Sequence, residues 1–231
     1  MPSIDRSATV ARIVTENFVA ARVFRKHRID YCCHGNVTVP EACRERALDP
    51  EAVFAELEAA GPGGAADAAE DPRALSTAAL IARIVDRHHG YLRRALPAIA
   101  PLVAKIAVVH GERDPGLAEV EAAFVELADA LEPHLRREEE VLFPALVARR
   151  PDLATIRQEL DAMHADHLAV GALLERIREA ANGFVTPEWG GTTYRVTMQE
   201  LEALAGDVLR HVPLENHVLM PRFVEATAAA R

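Results

Sequence analysis

The chain has 231 residues, half of them hydrophobic and 5% aromatic, with 26 Lys and Arg against 35 Asp and Glu for a formal net charge of −9. It carries no Lys/Arg-rich run, which argues against nucleic acid or an anionic membrane as a partner, and no apolar stretch approaching the roughly 20 residues that span a bilayer. Ala, Leu, Glu and Arg dominate, which predicts an all-α protein. The first residues lack an apolar signal core, so the cytoplasm is the expected location and Cys32, Cys33 and Cys43 are expected as thiols.

Residues 1–60 read as a small helical domain. A first helix is predicted over Ser7–Lys26, then a turn at Asp30–Gly35 and short helices at Val39–Arg46 and Pro50–Glu58, the last opened by Asp49 as N-cap and Pro50 at the first helical position. The Gly- and Pro-punctuated stretch 61–75 reads as a linker. Residues 76–231 hold four long helical patterns, predicted to pack as an antiparallel up-down four-helix bundle. Helix A runs over Ser76–Val109, kinked near Pro97 and Pro101, and helix B over Leu117–Arg149. Helix C is opened by Pro151 and reaches Ala181, and helix D runs over Thr192–Ala228 after a loop at Asn182–Gly191.

Each helix has an apolar seam. Helix B gives Val120, Phe124, Leu127, Leu131, His134, Glu138, Val141 and Ala145; helix C gives Leu153, Ile156, Leu160, Met163, His167, Val170, Leu174 and Ile177; helix D gives Leu201, Leu204, Val208, His211, Glu215 and Val218. Polar residues interrupt these seams. A lone histidine in such a place is ordinarily a core residue, and a lone H-x3-E pair is often a helix ion pair. Here the motif is doubled, as H-x3-E-x2-V-L-[FM]-P from His134 to Pro144 and from His211 to Pro221, with His167 on helix C besides. Four-residue spacing sets His and Glu about 40° apart on one face. Two carboxylates meeting in an apolar interior repel unless cations lie between them, so two such half-sites suit a dinuclear centre of iron, zinc or manganese. In helix A, periodicity alone admits either His88 or His89. His164 and His217 sit off the seam and read as surface residues, His110 as a helix-end cation, and Glu139 and Glu140 as a solvated face.

The two H-x3-E segments resemble the hemerythrin-like bundle, and the run Arg28-Ile-Asp-Tyr-Cys-Cys-His-Gly35 resembles the short domain that precedes it in the Repair of Iron Centres family of iron–sulfur cluster repair proteins. The resemblance spans nearly the whole chain. It implies two non-haem irons, oxo- or hydroxo-bridged, ligated by His89, His134, Glu138, His167, His211 and Glu215, the glutamates bridging. His89 is favoured over His88 by alignment on Leu96-Pro97, and His167 falls in the family's M-x-x-[ED]-H-x-x-x-G pattern. Cys32 and Cys33 take the place of the family's paired cysteines, with His34-Gly35 where Gly-Gly is usual, and Pro213 falls between His211 and Glu215.

What the resemblance implies is repair of iron–sulfur clusters damaged by nitrosative or oxidative stress, by supply of iron to the damaged proteins, with Cys32 and Cys33 handling iron or electrons. Two alternatives use the same site: a nitric oxide reductase converting NO to N2O, and an O2- or NO-binding sensor. A homodimer is compatible with the pattern.

Overall fold

The computed structural model describes residues 4–17, 19–32, 34–61 and 71–228, those from 225 onward by backbone alone. Among them no residue forms a sheet strand; Thr9 and Thr38 make an isolated antiparallel bridge. The chain falls into two compact units, one of Met1–Leu80 with Arg210–Ala229, the other built on Ile81–Leu209.

In the first unit the predicted opening helix is two helices, α1 (Val10–Glu16) and α2 (Ala20–Lys26). The break is local chemistry. Asn17 turns its side chain on the backbone, accepting from Val19 N–H at 3.2 Å and donating to the Gly61 carbonyl at 2.8 Å, the competition with helix bonding that Asn is prone to. Next come α3 (Val39–Glu45), closed at its start by a Thr38–Glu41 capping box, and α4 (Pro50–Ala60), capped by Asp49 as expected. Val10, Val14, Phe24, Tyr31, Val39, Cys43, Phe54 and Leu57 form its core. Gly35 is obligatory: a Cβ there would stand 2.5 Å from the Tyr31 carbonyl and 2.7 Å from the Ala11 side chain. The linker expectation at 61–75 falls largely on residues 62–70, which lie outside the described residues.

The second unit carries the long helical rods. Helix A consists of α5 (Thr77–Ile84), a π turn at Val85–His89 and α6 (Gly90–His110); the α-helix continues through Pro97 and Pro101, and the departure from regular geometry lies at the π turn instead. Helix B consists of α7 (Gly116–Arg137), a π turn at Glu138–Leu142 and α8 (Phe143–Val147). Helix C is α9 (Leu153–Ala180), which opens one residue past Asp152; the Asp152 carboxylate, not Pro151, caps it by accepting from Ala154 and Thr155 N–H. Helix D begins with α10 (Thr192–Leu214), whose last turn belongs to the first unit, as do a π turn at Glu215–Leu219 and α11 (Pro221–Ala228). Cross-links set the antiparallel order within the second unit. The end of helix C meets the start of helix B (Arg176 with Glu119 and Glu126), its start meets the last third of helix B (Arg137 with Glu159), and Arg93, midway along helix A, meets Glu139 in that same third of helix B. Among the described residues, no helix is long and apolar enough to cross a membrane.

The seams of helices C and D hold as read, except that Leu153 is only half-buried. Helix B departs after Glu138. Val141 is 40% exposed, and burial passes to Leu142, Phe143 and Leu146. The π turn inserts one extra residue per turn, which rotates everything beyond it. In helix A the shift shows ahead of the π turn: Leu80 and Ile84 are buried, where Ile81 and Val85 are only half-buried.

Candidate metal centre

Two of the π turns begin on a predicted ligand, Glu138 or Glu215, and the third ends on His89. After the first two comes a proline, Pro144 or Pro221. Proline cannot donate to the carbonyl four residues back and its ring crowds that carbonyl; a widened turn ahead of it relieves the clash, closed here by bonds from Phe143 N–H to the Glu138 carbonyl and from Met220 N–H to the Glu215 carbonyl. In both H-x3-E segments the glutamate thus opens a π turn that ends just ahead of a proline.

In the second unit the predicted residues converge on Glu138, which is 2% exposed. His134 Nε2 lies 3.4 Å from Glu138 Oε1 and His167 Nε2 lies 4.0 Å from the same oxygen, whereas His89 Nε2 lies 3.4 Å from Oε2. All three imidazoles are buried. One carboxylate therefore faces one set of histidines with each oxygen. His89 stands in this group, and its neighbour His88 turns to Asp207, with Nδ1 at 3.1 and 3.2 Å from the two carboxylate oxygens. Periodicity could not separate the pair because the π turn carries both inward.

Two of these rings are held from behind. His89 Nδ1 donates to Glu139 Oε1 at 2.7 Å, and the His89 ring stacks on Phe143 with centroids 5.8 Å apart. His134 Nδ1 pairs with Asp166 Oδ2 at 3.2 Å. A carboxylate on Nδ1 fixes the tautomer and leaves Nε2 as a lone-pair donor, the arrangement of metal-bound histidines. Glu139 is thus no part of a solvated face. Burial pushes its pKa up, but hydrogen bonds from the Arg93 guanidinium and from His89 outweigh that and hold it below the usual carboxylate range. Its sequence signal, three consecutive glutamates, looks like any charged surface. Asp166 was visible only as part of the motif around His167.

In the first unit, His211 Nε2 lies 2.8 Å from Glu215 Oε1, the spacing expected of the second H-x3-E, and the two side chains are 2% and 0% exposed. The same π turn carries Asn216 and His217. Asn216 Nδ2 and His217 Nε2 both donate to the Cys32 carbonyl, each at 2.9 Å. His217 is therefore not a surface residue, and His164, likewise read as one, is half-buried. Cys32 is buried; its N–H and thiol both bond Asp30 Oδ1, at 2.9 and 3.2 Å, while Asp30 Oδ2 pairs with His34 at 2.7 Å. The histidine in place of the first glycine thus sits outside, engaged with Asp30, and does not disturb the turn that Gly35 closes. Cys33 lies outside the described residues.

The donors are imidazoles and carboxylates, hard to borderline groups suited to iron in a site with no thiolate among them. A buried carboxylate with histidines toward both oxygens, as at Glu138, suits a dinuclear cation site and is what an apolar core otherwise avoids.

A family model described as Hemerythrin HHE cation binding domain matches residues 80–223, and one described as Domain of Unknown function (DUF542) matches residues 6–61. The chain is similar to the iron-sulfur cluster repair protein ScdA of Staphylococcus haemolyticus, at 31% identity over 222 residues that cover 95% of this chain and 99% of that protein. It is similar also to the iron-sulfur cluster repair proteins YtfE of Yersinia pseudotuberculosis, at 30% over 205 residues, and of Escherichia coli, at 30% over 208, each match covering 88% of this chain and 90% of the relative.

Proposed function

This chain belongs to the Repair of Iron Centres family of iron–sulfur cluster repair proteins, and from that premise we propose that His89, His134, Glu138, His167, His211 and Glu215 hold two non-haem irons whose release to damaged iron–sulfur proteins is its activity. The observation that carries this is Glu138, buried, with His134 and His167 toward one oxygen and His89 toward the other. Such a carboxylate is built to be shared between two ions, and the second H-x3-E repeats the design in His211 and Glu215.

When bound, the iron pair supplies exchangeable ferrous or ferric ions and the electrons that a damaged cluster needs to be rebuilt. The chain's own residues do the rest. Glu139 and Asp166 hold His89 and His134 in the tautomer that presents Nε2, and Phe143 covers one face of His89 against water. Imidazole leaves a metal as a neutral group, or as a cation once protonated near its ordinary pKa of about 6.5, so ligands of this kind give iron up more readily than a thiolate cage would. Cys32, with Cys33 beside it, is the candidate receiver or relay, its carbonyl held by residues that follow Glu215 directly in the chain. We place the reaction in the cytoplasm, in keeping with reduced cysteines.

The test has two parts. Metal analysis and Mössbauer spectroscopy of the purified protein are expected to give two coupled irons per chain; zinc alone would overturn the reading. The loaded protein is then incubated with an enzyme whose cluster has been damaged by NO, in the presence of a strong iron chelator. Recovery of that enzyme supports direct delivery, and recovery only without chelator would mean that free iron did the work.

A further inference from the structure

The two sides of Glu138 are not supported alike. On the Oε2 side, His89 is tied by a 2.7 Å bond to Glu139, and the same Glu139 oxygen accepts from Arg93 Nη1 at 2.8 Å. Glu139 is itself 27% exposed, and the His89 ring lies on Phe143. That histidine is clamped through three groups from two helices. On the Oε1 side, His134 leans on Asp166 at 3.2 Å, and Asp166 is 43% exposed. The second histidine on that side, His167, stands 4.0 Å from the shared oxygen, against 3.4 Å for His134 and His89. A longer bond to a carboxylate facing water is weaker, more screened and less able to hold the ring in one place.

We propose that the two metal positions are unequal, and that the ion on the His134–His167 side is the one surrendered while the His89 side retains its own. Glu139 and Asp166 are then positioning residues that set the order of release: Glu139, anchored by Arg93, makes the retained position, and Asp166 makes the exchangeable one. The exchangeable ion is the cargo; the retained ion keeps Glu138 in place after the first has gone, so that the centre can be refilled without rebuilding. The inference rests on the two-iron reading of the site.

The experiment is release of iron from the full chain, loaded anaerobically with ferrous iron, into a colorimetric ferrous chelator, followed by stopped flow. Wild type is expected to lose its iron in two phases of equal amplitude. Carboxylates behind metal-bound histidines are worth about 10- to 100-fold in affinity, most of it in the off-rate. Glu139→Gln is accordingly expected to speed the slow phase by about 10-fold or more with the fast phase unchanged, and Asp166→Asn to speed only the fast phase. Arg93→Gln leaves every metal-facing group in place and is expected to speed the slow phase by a smaller factor; it carries the test should Glu139→Gln fail to fold. A single phase releasing two irons overturns the inequality while leaving the two-iron reading intact, as does a slow phase that responds to Asp166→Asn instead. Fewer than two irons bound by wild type overturns the two-iron reading itself, and the proposal with it.

Discussion

Replacing Glu138 by Gln tests the centre at its most shared group. The side chain keeps its size but loses the charge and one of the two acceptor oxygens that His134, His167 and His89 face. In wild type, each ion present at 100 times its dissociation constant stabilises the fold by about 2.7 kcal/mol, so two contribute roughly 5 kcal/mol. For a chain of 231 residues, each kcal/mol raises the midpoint by about 2–4 °C, which makes the expected iron-dependent rise in Tm roughly 10–20 °C. If Glu138 is shared as proposed, Gln there costs both ions a ligand, and the rise should shrink to a few degrees. Without metal the sign differs: a buried carboxylate is replaced by a neutral amide of the same shape, removing a desolvation cost, so the metal-free variant should be as stable as metal-free wild type or more so. The assay is anaerobic thermal unfolding followed by circular dichroism, with and without ferrous iron. An unchanged iron-dependent rise in Glu138→Gln would refute the bridging role and the reasoning built on it.

The neighbours His88 and His89 should part company: His89→Ala loses bound iron by metal analysis, whereas His88→Ala keeps it and costs about 1.5–3 kcal/mol in urea unfolding through the lost bond to Asp207. Cys32→Ala is expected to bind two irons normally but to lose chelator-resistant repair, with metal content and recovered enzyme activity as the paired readouts. Cys43 is a contrast: burial pushes its thiol pKa up, so it should resist iodoacetamide at pH 8 until the protein is unfolded, as mass spectrometry of the labelled peptides would report. Burial chiefly, with the Asp114 hydrogen bond in the case of Tyr194, raises the phenols of Tyr31 and Tyr194 above their ordinary value of 10. The unfolded chain therefore sheds these protons first; their contribution is whole below pH 10 and is lost as pH rises further. Absorbance of phenolate should accordingly appear together with alkaline unfolding, and a prior, separate titration of both tyrosines in the folded state would contradict this.

The four rods, their inward stripes and the doubled H-x3-E were legible because 3.6-residue periodicity is a property of sequence order alone. So was the convergence of His134, His167 and Glu138, since each sat in phase with an apolar stripe. What escaped was whatever breaks phase. The π turn at Glu138 moved burial from Val141 to Leu142, and the one at Val85–His89 turned both adjacent histidines inward. Asn17 split a helix by bonding backbone with its side chain, where composition reads only a polar residue in a helical run. Glu139, Asp207 and His217 act through partners distant in the chain, His89, His88 and Cys32, and no local pattern records such pairings. The E-x5-P element was on view throughout; it named the glutamates' neighbourhood without announcing that the turn would widen.

The π turn brings the adjacent side chains closer together than the roughly 100° of an ordinary helix, yet His88 and His89 on helix A still address two neighbours at once: Asp207 on helix D and Glu138 on helix B. Helix A is thereby gripped like a key with two teeth. Spinning it about its long axis to shorten either contact lengthens the other, and sliding it along its axis strains both. Its azimuth is set by polar chemistry, where oily packing alone would tolerate drift, and the imidazole that faces Glu138 inherits that angular definition before any ion arrives.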